Sequence, residues 1–70
     1  MSPEEFRALL ETLGLSQLAA ARLMLVDART VRRWVSGERD IPGPAVAFLR
    51  LLEASPAARK VALKTEIAPS

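Results

Sequence analysis

The stretch "SQLAAARLMLVDARTVRRWVSG", residues 16–37, decides how the chain is read. It holds two helical patterns separated by a break of about three residues. Ser16 has the form of an N-cap, and "QLAAARLM" runs on from it to about Met24. Asp27 is a second N-cap candidate, opening a helix from Ala28 to about Ser36, and Gly37 stops it. An α-helix turns about 100° per residue. On that wheel Ala28, Val31, Trp34 and Val35 form one stripe, and Arg29, Arg32, Arg33 and Ser36 form another. The apolar stripe must be buried, which fixes the helix on the domain and turns the arginines outward.

The flanks extend the same pattern. "SPEE" at 2–5 has the form of a capping box, with Pro3 suited to a first helical turn. Phe6, Leu9, Leu10 and Leu13 follow at helical spacing, and Gly14 ends that helix. After the polar "ERDI", Gly43-Pro44 reads as a cap followed by proline at the first helical position, with a helix to about Ala54. Ser55-Pro56 repeats that start signal for a weaker helix over about 56–65, and the tail "EIAPS" is expected to fray. Nothing alternates apolar and polar for long enough to be a strand. The expected fold is all-α, a small bundle of four to five helices. Residues 1–54 would form the main domain, with 55–70 as a C-terminal helix and tail.

Composition sets the outer bounds. Seventy residues make one small domain with a thin core. Half of them are apolar, but only Phe6, Trp34 and Phe48 are aromatic, so Leu, Val and Ala must fill most of the interior. The chain has no cysteine and no histidine, which argues against a disulfide framework, a thiolate site or a transition-metal site. No cofactor is expected. Without His, Cys or clustered carboxylates an enzyme is not expected either. No apolar run approaches the roughly 18–20 residues a membrane span needs, and "MSPEEF" lacks the basic start of a signal peptide. A cytoplasmic location is the expectation.

The net charge of +2 says little, but its distribution says more. Five of the ten basic residues lie in 22–39, opposed there by Asp27 and Glu38 alone. Charged residues on an exposed helix face most often do no more than solvate it. Two details set this face apart. It carries one sign only, and Arg29 and Arg33 stand at i, i+4, where like charges oppose helix formation. All three are arginine, whose planar fork of donors suits phosphate oxygens or the O6 and N7 of guanine. Two helices joined by a three-residue turn fit a helix-turn-helix, in which the second helix enters the major groove of DNA. Ala20 and Ala21 are small enough for the two helices to pack closely.

With these residues in view, the chain resembles the Cro/C1-type (XRE-like) helix-turn-helix regulators of phages and bacteria. The resemblance covers about residues 4–54 and rests on "LGLSQ", Ala21, Val26, the "RTVRRW" run followed by Ser36-Gly37, and the proline-containing loop after it. It implies a lambda-repressor-like fold and sequence-specific binding of double-stranded DNA. It places Ala28, Arg29, Arg32 and Arg33 against bases, and Ser16, Gln17, Thr30, Ser36 and Arg39 near phosphates. Three positions depart from the family pattern. Leu25 stands where the turn commonly has glycine, Leu10 and Val35 stand where some members carry a buried Arg–Glu pair, and Leu18 replaces a usual polar residue.

The fourth helix, "PAVAFLRLLEA", is apolar nearly all round. Val46, Leu49 and Leu52 suit the core, leaving Ala45, Phe48 and Leu51 in need of partners. Val61, Ala62 and Leu63 of the last helix offer partial cover, and a second subunit would supply the rest. The expected dimer surface comprises Ala45, Phe48, Leu51, Leu52 and Val61. Two recognition helices in such a dimer would match an inverted repeat about one DNA turn apart. A repressor acting on its own promoter in a phage or mobile element fits this build, as regulators encoded beside anti-CRISPR genes do. The neighbouring possibility is an antitoxin or interaction module that binds a partner protein through 44–67.

Overall fold

The structure is a computed structural model that describes residues 1–67; the side chains of Leu63, Thr65, Glu66 and Ile67 and all of residues 68–70, with the expected fraying of the tail, lie outside the described residues. Five helices follow one another: α1 (Pro3–Leu13), α2 (Gln17–Met24), α3 (Ala28–Ser36), α4 (Gly43–Ala54) and α5 (Pro56–Ile67). The described residues contain no strand. None of these helices is long and apolar enough to cross a membrane.

Local chemistry sets most helix ends. At α1 the Ser2 hydroxyl accepts from the N–H of Glu5 at 3.1 Å, and the Glu5 carboxylate accepts from the N–H of Ser2 at 3.3 Å. These reciprocal bonds satisfy two donors that a helix start otherwise leaves open. Ser16 caps α2 by accepting from Ala19 N–H at 3.0 Å, and Ser55 does the same for α5 through Ala58 N–H at 3.2 Å. Asp27 occupies the N-cap of α3 with extended backbone, but its carboxylate makes no capping bond. At α4 the cap is Pro42 rather than Gly43, which is already helical, so Pro44 lies one position further in than expected. The last helix runs two residues beyond the expected end at 65.

The core joins one face of each of the first four helices. Phe6, Leu9, Leu10 and Leu13 of α1 meet Leu15, Ala20 and Ala21, Val31 and Trp34 of α3, and Leu49 and Leu52 of α4. α3 packs on both α1 and α2, α4 packs on α1, and α5 lies against α4 and α2. The alanines let α2 and α3 approach, because Ala20 and Ala21 are buried with no side chain beyond Cβ to hold the helices apart.

Leu52 corrects the expected dimer surface. It is 2% exposed within its own chain, so no side-chain area remains for a second subunit. Its neighbour Leu51, one helical step away, is 56% exposed.

Candidate nucleic-acid interface

The candidate face belongs to α3. Val31 and Trp34 are fully within the core, with Ala28 and Val35 half-buried against it. Their burial fixes the rotation of the helix about its axis. The opposite arc then carries Arg29, Arg32, Arg33 and Ser36 over about 100°. Arg29, Arg32 and Ser36 are exposed and Arg33 is half-exposed. No acidic side chain among the described residues pairs with Arg29 or Arg32. Arg33 differs: its Nε lies 4.0 Å from Glu38 Oε1.

The turn that presents α3 has a definite form. Leu25 is left-handed, with φ 58° and ψ 43°. Its N–H donates to the Arg22 carbonyl at 3.3 Å, and Val26 N–H donates to the Ala21 carbonyl at 3.0 Å. The end of α1 repeats this pattern, with Gly14 N–H to Glu11 and Leu15 N–H to Leu10. So Leu25 takes the glycine conformation rather than imposing another turn, and its side chain stands 92% exposed. A non-glycine residue bears roughly 1–2 kcal/mol for that backbone.

The remaining positions divide. Gln17 and Arg39 are exposed, and Thr30 is half-buried beside the arginine arc. Ser16 is exposed, but its oxygen already serves the cap. Ser36 donates its hydroxyl proton to the Arg33 carbonyl at 3.1 Å and accepts from Glu38 N–H at 3.3 Å. A hydroxyl has one proton to give, so a phosphate contact from Ser36 would have to replace its bond to the Arg33 carbonyl. Ala28 keeps only part of its small surface open. Leu10 and Val35 line one cavity of about 190 Å³ together with Arg7, Glu11, Leu15 and Gln17. Leu18 is 51% exposed.

Two features escape a reading of residue types alone. One is Glu38 beside Arg33: the two are five residues apart across Gly37, so no helical spacing links them, and only the folded-back loop brings them together. The other is an apolar cavity of about 360 Å³ bounded by Leu25, Val26, Trp34, Pro42, Ala45 and Phe48, among others. It joins the turn before α3 to the start of α4, so two of the expected dimer residues line it. Of the others, Val61 and Leu51 are exposed. No protein-family model, curated protein or solved structure matches this chain.

Proposed function

We propose that this chain is a Cro/C1-type regulator that binds double-stranded DNA sequence-specifically, with α3 in the major groove, and represses transcription. The observation that carries the reading is the outward arc of Arg29, Arg32 and Arg33 opposite a helix face locked by Val31 and Trp34. A rigid helix presenting guanidinium forks is suited to guanine edges and flanking phosphates. α2, joined to α3 by three residues and packed against it, would serve as the first helix of a helix-turn-helix. Gln17 and Arg39 are the favoured phosphate contacts, with Ser16 and Thr30 secondary.

The protein acts in the cytoplasm as a homodimer on an inverted repeat in a promoter, its own promoter included. Exposed Leu51 and Val61, with half-buried Ala45 and Phe48, leave apolar surface that a second copy would cover. Selection of bound sites from random duplexes tests the reading. Enrichment of a palindrome bound by two chains is expected; no enrichment of any sequence would overturn it.

A second reading is favoured by the apolar cavity beside Leu25 and Phe48. In it the chain is an antitoxin or interaction module that holds a partner protein through 44–67. Tight partner binding without retardation of any DNA pool would select it.

A further inference from the structure

We propose that Glu38 is a positioning residue for base recognition: it holds the Nε edge of Arg33 so that the terminal amino groups of that guanidinium face outward as a fork. The inference rests on the DNA-binding reading and names a specificity determinant within it.

The loop after α3 folds back onto the turn that carries Arg33. Gly37 turns the chain with φ 82°, and a Cβ there would come within 3.3 Å of Pro3 Cγ, so the loop sits tightly against the start of α1. The Arg33 carbonyl accepts from both the Ser36 hydroxyl and Arg39 N–H, the latter at 3.2 Å. The N–H of Glu38 is tied to Ser36 Oγ. The backbone of Glu38 is therefore fixed relative to that of Arg33, and its carboxylate lies 4.0 Å from Nε, an ion-pair distance that a small side-chain rotation would close to a hydrogen bond. Nε is the guanidinium nitrogen paired with the carboxylate, and among the described residues the two Nη groups have no acidic partner.

An exposed pair at this distance adds little to folding stability. A carboxylate beside a DNA-binding face also repels phosphates, which weakens binding to any sequence. Its effect on direction is different. An untethered arginine grips whichever phosphate or base lies in reach, whereas a held one meets O6 and N7 of a guanine at one position. Among the described residues Arg29 and Arg32 have no acidic partner on this face and Arg33 has one, so Arg33 is the directed member of the three.

The test compares the wild type, Glu38→Gln, Arg33→Ala and the double variant. Affinities are measured at one fixed salt concentration for the selected site and for a scrambled duplex of equal length. Glu38→Gln is expected to lower the ratio of the two affinities roughly two- to fivefold and to flatten the base preference at one position. In the Arg33→Ala background the same change should leave the ratio unaltered, raising both affinities alike. Equal gains on both duplexes from Glu38→Gln alone, with base preference intact, would reduce Glu38 to a nearby charge and overturn the proposal. So would equal losses on both together with a lowered melting temperature, which would mark a folding role. If the wild type retards no duplex at all, the DNA-binding reading fails first and the inference falls with it.

Discussion

The ring of Phe6 meets that of Trp34 edge to face, with centroids 5.9 Å apart and planes at 82°. This contact ties α1 directly to the helix that carries the arginines. Both rings are buried, Phe6 completely. Edge-to-face pairs contribute about 0.5–1.5 kcal/mol beyond the area they bury. Phe6→Leu should therefore lower stability by about 1–2 kcal/mol, read from urea unfolding followed by the fluorescence of Trp34, the chain's one tryptophan. Phe6→Ala should cost about 3–5 kcal/mol, a large share of the stability available to a domain this small.

Leu25 offers the opposite sign. Its left-handed backbone is strained, and its side chain, 92% exposed, has little packing to lose. Leu25→Gly should raise stability by about 0.5–1 kcal/mol, the relieved strain exceeding the entropy glycine adds to the unfolded chain. Leu25→Val should lower it, since a β-branched residue tolerates positive φ less well. Thermal melts of the three proteins decide this, and a less stable glycine variant would contradict it.

Arg59 reaches back from α5 to the end of α4. Its Nε donates to the Leu52 carbonyl at 3.2 Å and its Nη2 to the Glu53 carbonyl at 2.9 Å. These are carbonyls of the last helical turn, which no backbone donor within the helix can satisfy. Replacing Arg59 with Met keeps much of the stem but removes both bonds. Loss of about 1–2 kcal/mol is expected, concentrated in faster hydrogen exchange across α5 rather than across α1 or α3. Lys should rescue only in part, because it has no planar fork.

Glu5 gives the fold an acid-sensitive contribution. The N–H and hydroxyl of Ser2 hold its carboxyl below the ordinary carboxylate range, with Arg50, whose Nη2 lies 3.8 Å away, adding to the effect. A folded value below the unfolded one contributes stability that is present above the unfolded value and lost as pH falls through the folded one. The wild type should melt above Glu5→Gln near neutral pH, and the gap should close on acidification. A gap that stays constant with pH would mean that the charge on Glu5 is not what stabilises the capping box.

On DNA, Arg29→Ala and Arg33→Ala should each weaken binding to the selected site by about 1–3 kcal/mol and relax preference at one base pair. Arg39→Gln should instead weaken all sequences alike and reduce the salt dependence by about one counterion. Titrations on selected and scrambled duplexes at several salt concentrations separate the two classes.

Helix positions and the two faces of α3 were legible because they depend on local rules. Capping serines, left-handed glycines and a 3.6-residue apolar period act within a few residues, and they place α2 and α3 at Gln17–Met24 and Ala28–Ser36 without reference to the rest of the chain. The face that Val31 and Trp34 bury follows from the same period. What needed the packed molecule was every relation between residues that no period connects. The helical period set Leu52 with the core while the expected dimer surface also claimed it; the docking of α4 on α1 leaves Leu52 interior and Leu51 exposed. Leu25 could strain or reshape its turn, and the close packing of α2 on α3 accompanies the strained form. The meeting of Glu38 with Arg33 depends on a loop that returns to the helix it leaves. Local propensity specifies dihedral angles, whereas the cost of burial, which is shared among elements distant in sequence, selects which surfaces meet.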